Sequence, residues 1–146
     1  MFLMEPERSI IERIHFCSPD FMRMDLNKWE KEFYKFPDRV VIPVEAQENT
    51  RLPDLFLKPL PMVSEMMMEV MRFYQIEPFF RRVNLTDRNR KESERYFLIY
   101  MKEPEAVLFH DFVLKRMDHT LCCHISLDFA ESILRRGAYG ISLQEL

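Results

Sequence analysis

The stretch EPFFRRVNLTDRNRKESERYFLIYM, residues 77–101, decides the fold. Phe79 to Leu85 reads as a strand, TDRNRKESER as a polar turn, and Tyr96 to Met101 as the returning strand of a hairpin. Tyr96, Leu98 and Tyr100 alternate with Phe97, Ile99 and Met101, so the second strand is apolar on both sides. Successive side chains of a strand point to opposite faces, so such a strand has cover on both faces or lies at an interface. One face is expected on the helices and the other on segment 28–44 or on a second molecule. The N-terminal segment is preferred, because it carries an apolar stripe of its own that needs a surface.

That stripe is Trp29, Phe33 and Phe36, on a helix expected from about Lys28 to Phe36. Asp25 or Asn27 would cap it and Pro37 would stop it. Before it, Phe2 to Met4 reads as a first strand ending at Pro6, whereas Ile10 to Phe16 has no decisive period. Val40 to Val44 and Leu55 to Leu57 are short β-type runs bounded by prolines 43, 53, 59 and 61, which suggests edge strands or extended loops. Ser64 is expected to cap a helix to about Tyr74, with Val63 and Met68 as a hydrophobic staple. Met67, Val70, Met71 and Tyr74 form its inward stripe. Short strands are expected at Val107 to His110, Leu121 to Ile125 and Tyr139 to Leu143. Ser126 caps a last helix through Arg136, and Gly137 takes the left-handed position after it. The pattern predicts one α+β domain over residues 1–146, a mostly antiparallel sheet with about three helices packed on it. VSEMMMEVM (63–71) and ISLDFAESI (125–133) echo each other because two capped helices obey the same capping rule.

Composition narrows function. Hydrophobic residues are 47% and charged residues 31% of 146, enough for a core and against disorder. No apolar run reaches about 18 residues, so no membrane helix is expected. MFLMEPERSI lacks the features of a signal peptide, so a cytoplasmic protein is expected. Two glycines are too few for phosphate-cradling loops or nucleophile elbows. Cys17, Cys122 and Cys123 are odd in number and are read as reduced thiols.

Five constellations bear on chemistry or binding. The tract HDFVLKRMDHTLCCH (110–124) offers metal-ligating types, with His119, Cys122 and His124 as the set for a metal-dependent hydrolase. Cys122 and His124 would share a strand face, as would His15 and Cys17, but no C-x2-C pair is present, and packing is the preferred reading. A nucleophilic Cys122 or Cys123 beside the Ser126 helix lacks a family-type signature, and Glu103 and Glu105 flank Pro104 in what reads as a solvated turn. Residues 81–95 hold Arg81, Arg82, Arg88, Arg90, Lys91 and Arg95, the set for a nucleic-acid-binding module. The net charge of −3 disfavours nucleic acid. Met66, Met67, Met68 and Met71 lie on one short helix and most read as core, but Met66 to Met68 cannot all face one way, which points weakly to an interface. No catalytic, cofactor-binding or metal residue is assigned.

The order of elements carries a resemblance. A capped helix opening VSE, the strand EPFFRRVNL, a charged turn, RYFLIYM and the closing HISLDFAESILRRGAYGI resemble the bacterial family long catalogued as a domain of unknown function and later assigned to immunity proteins of polymorphic toxin systems. The similarity covers about residues 54–146, with FLMEPE similar to the family's opening strand and 1–53 otherwise a variable part. It implies a non-enzymatic cytoplasmic protein that neutralises a cognate toxin domain by binding it, without cofactor or membrane. It names no site residues; Trp29 is the first candidate anchor, and homo-oligomerisation stays open.

Overall fold

The computed structural model describes residues 1–104 and 110–146. Among these the strands are β1 (Phe2–Pro6), β2 (Ile14–Phe16), β3 (Arg39–Ala46), β4 (Leu55–Phe56), β5 (Met62–Ser64), β6 (Phe79–Asp87), β7 (Glu92–Tyr100), β8 (Phe112–Met117), β9 (Thr120–Ile125) and β10 (Ile141–Glu145). The helices are α1 (Arg8–Ile11), α2 (Pro19–Met22), α3 (Trp29–Phe33), α4 (Glu65–Phe73) and α5 (Leu127–Arg135). The class is α+β, with two sheets where one was expected. A four-stranded sheet runs β10-β1-β9-β8, and a six-stranded sheet runs β2-β3-β6-β7-β5-β4. Every pairing is antiparallel except β3 with β6. Among the described residues, no helix is long and apolar enough to cross a membrane.

The 77–101 hairpin forms as its pattern demands, and it is longer than expected. Pairing continues through Thr86↔Ser93 and Asp87↔Glu92, so residues expected in the turn extend the ladder. Asp87 is buried, and one carboxylate oxygen accepts from the backbone N–H of Asn89 at 3.0 Å, which organises the tight reversal. Tyr96, Leu98 and Tyr100 enter a core with Trp29, Phe33, Ile42, Val44, Val83 and Leu85. Ile99 enters a second core with Met67, Met71, Phe129 and Ile133 from α4 and α5, and Phe97 packs against its edge. Both faces of β7 are therefore covered within one chain, and the N-terminal segment supplies one cover.

Trp29 has a further reason for its place. Ile99 donates its backbone N–H to the Pro61 carbonyl at 3.1 Å, but Pro61 has no N–H to return. The Trp29 indole N–H fills the gap, donating to the Ile99 carbonyl at 2.9 Å. A buried carbonyl beside a proline is thus satisfied by a side chain distant in sequence. The expected helix is shorter than its stripe: Asp25 caps a 3₁₀ turn, Leu26–Lys28, and α3 ends at Phe33. Phe36 still packs on the same core, because the chain continues in turn geometry.

Two expectations about strands are corrected. The run from Val40 to Val44 is not an edge strand; β3 lies between β2 and β6. Pro43 is tolerated because its carbonyl, accepting from the Cys17 N–H at 3.0 Å, faces the end of the short β2 ladder, where its missing N–H falls too. Leu55–Phe56 is an edge strand, as the prolines suggested. The strand expected at Val107 to His110 lies, except for His110, outside the described residues, and β8 was not foreseen.

Both capping serines behave as expected. Ser64 Oγ accepts from the Met67 N–H at 3.2 Å, and Ser126 Oγ accepts from the Phe129 N–H at 3.1 Å. Val63 and Met68 are buried beside the first cap. After α5, Gly137 takes φ +76°. Gly140, at φ +71°, is required twice over, since a Cβ there would lie 2.5 Å from Pro53 Cβ.

Candidate interaction face

Helix α4 covers only part of its face of the six-stranded sheet. Its buried residues Met67, Val70 and Met71 lie in the core that Val63 and Ile99 close from β5 and β7. On β3 and β6 the same sheet face is exposed at Arg39, Val41, Glu45, Arg82 and Asn84. The register defines two rows across it. Arg39 on β3 stands beside Arg82 on β6, Arg82 beside Phe97 on β7, and Phe97 beside Val63 on β5. One step along, Val41 stands beside Asn84 and Asn84 beside Arg95. The first row runs from exposed charge to buried apolar side chain as it passes under α4.

A groove of about 450 Å³ follows this boundary, lined by Arg39, Arg72, Arg82 and Arg95 together with Glu65 and Phe97. The arginines reach it from three different strands and from α4. Arg72 lies over the Phe97 ring at 5.9 Å from its centroid, and Arg82 over the Phe80 ring at 5.7 Å. These contacts orient the guanidinium groups over half-buried aromatic rings. Arg95 approaches Glu65 at 4.0 Å, a long and exposed contact. Among the described residues, Arg39, Arg72 and Arg82 have no carboxylate within 4.0 Å. Like charges directly opposite in a ladder are destabilising, and Arg39 beside Arg82 is such a pair.

The six basic residues expected to act together are split by the strand period. Arg82 and Arg95 reach the open face. Arg81 points the other way, over the Phe33 ring at 4.5 Å, and its Nε donates to the Phe36 carbonyl at 2.9 Å. Arg88, Arg90 and Lys91 sit at the hairpin tip, where Arg90 approaches the buried Asp87 at 3.7 Å. Arg39 and Arg72, which complete the groove, were missed. No local pattern marks them; Arg39 joins only through the parallel β3–β6 pairing.

The metal-ligating types are also dispersed. Among the described residues, no three His, Cys, Asp or Glu side chains come together as a cation site. His119 lies in the β8–β9 turn and its Nδ1 is 2.6 Å from Asn27 Nδ2. Cys122 and His124 share the outward face of β9, while Cys123 faces the core, where complete burial pushes its thiol well above the ordinary range. Burial, then Lys115 and the N-terminal amine, hold the His124 imidazole below its usual value. Cys17 is raised, chiefly by burial, which makes it a weaker nucleophile. Trp29 is 5% exposed and serves the core, so it is not available as a surface anchor. Of the α4 methionines, Met67, Met68 and Met71 are buried and Met66 is half-buried.

A smaller cleft of about 290 Å³ lies between Trp29, Glu30, Tyr100, Leu114 and Arg116. Arg116 is already engaged there: its guanidinium donates to the Asn27 carbonyl at 2.6 Å, and its backbone N–H donates to the Glu103 carboxylate at 2.9 Å. Glu105 lies outside the described residues. No family model and no curated protein matches the sequence, and no solved structure matches the fold.

Proposed function

We propose that this protein works by binding another protein, as a non-enzymatic cytoplasmic immunity protein that neutralises a cognate toxin domain. The binding half of the reading is supported by the arginine-lined open face. Arginine is enriched where protein interfaces concentrate their energy, because its flat guanidinium makes paired hydrogen bonds and stacks on aromatic rings. Here four arginines are set on paired strands and a capped helix, elements rigid enough to hold a preformed surface. Arg39 opposite Arg82 is unfavourable for the isolated chain, and an anionic partner would relieve it. The neutralising half rests on the resemblance of residues 54–146 to the immunity family. Such a protein would cover its partner's active site and carry out no chemistry.

The test is genetic and biochemical. A neighbouring gene should encode a large secreted protein with a variable C-terminal toxin domain. Co-expression of the present chain should restore growth to cells producing that domain, and Arg39→Glu with Arg82→Glu should abolish the rescue. A neighbourhood without such a gene, or rescue untouched by the double charge reversal, would overturn the corresponding half of the reading.

A further inference from the structure

The arginine groove has a size and a charge that define what it can hold. Adjacent strands are about 4.8 Å apart and alternate residues along a strand about 7 Å apart. Arg39 and Arg82 thus begin one row, and Arg95 stands on the next row one strand over. Arg72 reaches the same groove from α4. Four guanidinium groups stand against Glu65 alone, within a footprint three strands wide. Carboxylates on alternate residues of an extended chain also recur at about 7 Å, matching the row spacing.

Resting on the protein-binding reading, we infer that this groove receives a short extended acidic segment of the partner, which places about two or three Asp or Glu carboxylates on Arg39, Arg82, Arg95 and Arg72. Paired N–H groups of each guanidinium meet the two oxygens of a carboxylate, and the segment completes the charge that the fold leaves unpaired. Single-stranded nucleic acid fits less well. Base stacking needs open aromatic faces, and Phe80 and Phe97 are half-buried with Arg82 and Arg72 already over them. A long polyanion would also leave the patch for acidic surroundings: Glu45 is exposed on the arginine side of β3, and the chain carries −3 overall.

The probe is a fluorescein-labelled hexaglutamate peptide, read by anisotropy at low and at physiological ionic strength, with hexaglutamine and an oligothymidylate of equal charge beside it. Hexaglutamate should bind saturably, more weakly as salt rises, and hexaglutamine should not bind. Arg82→Glu and Arg39→Glu should each weaken hexaglutamate at least about tenfold, and Arg82→Lys by less, since it keeps charge and loses the fork. Arg135→Glu, on the outer side of α5, makes the same change in net charge and should leave binding unchanged. Thermal midpoints verify that each variant is folded. No hexaglutamate binding, equal loss in Arg135→Glu, or tighter binding of oligothymidylate would each overturn the inference. Failure of toxin rescue with hexaglutamate binding intact would strike the neutralising role and leave the groove's specificity standing. Rescue without hexaglutamate binding would do the reverse.

Discussion

Strands β7 and β6 are neighbours of equal length in one sheet, yet they solve opposite problems. On β7, Tyr96, Leu98 and Tyr100 meet Trp29 and Phe33 on one side, while Ile99 meets α4 and α5 on the other. On β6, Val83 and Leu85 are buried on the first side, while Arg82 and Asn84 are exposed on the second. The difference is set by how far α4 reaches. A nine-residue helix is about 13 Å long, and its apolar stripe is spent over β5 and β7. Where helical cover ends, the sheet face changes from apolar to guanidinium within one row. A doubly covered strand and a half-open one can therefore share a ladder.

The comparison is broken most easily by removing mass from the doubly covered strand. Leu98 is fully buried, and Leu98→Ala should cost about 2–5 kcal/mol through lost transfer energy and a residual cavity. Val41, on the exposed face of β3 and 65% exposed, should lose only about 0.5 kcal/mol or less on Val41→Ala. Chemical denaturation of the two variants measures the contrast directly. Comparable losses would mean that the open face is covered in solution.

A finer cut tests how β7 is tied to its N-terminal cover. Trp29→Phe keeps most of the ring but leaves the Ile99 carbonyl without a donor, because Pro61 opposite cannot supply one. An orphaned buried carbonyl should cost about 1–3 kcal/mol. Pro61→Ala restores an N–H opposite Ile99, so Trp29→Phe should cost less in that background. A double-mutant cycle from denaturation curves measures the coupling.

The two caps compare α4 with α5 at the next level of energy. Ser64→Ala should cost about 1 kcal/mol. Ser126→Ala should cost more, up to about 2 kcal/mol, because the Ser126 hydroxyl also donates to the Asp111 carboxylate at 2.6 Å. Thermal unfolding of the two variants in parallel gives the order, and a larger loss at Ser64 would refute it.

How much of this was legible follows from the range of each signal. The doubly apolar alternation of β7, the capping serines and the Trp29–Phe33–Phe36 stripe are local patterns: the serines marked the helix starts, and the other two predicted their partner faces. Strand β8 escaped because only Phe112, Val113 and Leu114 are buried and Lys115 to Met117 are exposed, so neither alternation nor a glycine turn marks it. Asp118 takes the left-handed turn conformation, at φ 54°, that glycine would have announced. Pro43 argued for an edge, and only the shortness of β2 lets it sit inside a sheet. The second sheet was hidden because it joins the first strand to the last, β1 to β10. The groove was half legible: Arg82 and Arg95 lie in a visibly basic segment, whereas Arg39 and Arg72 arrive through a parallel pairing and a helix crossing.

The smallest effect sharpens the comparison most. Exposed charge on an ordinary surface is nearly neutral for stability, and its removal changes little. Arg39 and Arg82 differ from that case, since they stand directly opposite in register, and among the described residues neither has a carboxylate within 4.0 Å. Arg39→Gln keeps the length and polarity of much of the side chain while removing one of the two charges. It should therefore stabilise the chain, by about 0.2–1 kcal/mol at low ionic strength. Added salt screens the repulsion in the parent chain, so the gain should shrink toward zero as ionic strength approaches about 1 M. The corresponding change on the buried side, Arg81→Gln, removes a guanidinium that packs over Phe33 and bonds the Phe36 carbonyl, and it should destabilise at every salt concentration. Opposite signs for neighbouring arginines, read from thermal midpoints across a salt series, would separate the arginine that holds the fold from those held ready for a partner. A loss of stability in Arg39→Gln would show instead that Arg39 is paired in solution, and the open face would lose its claim to be waiting for one.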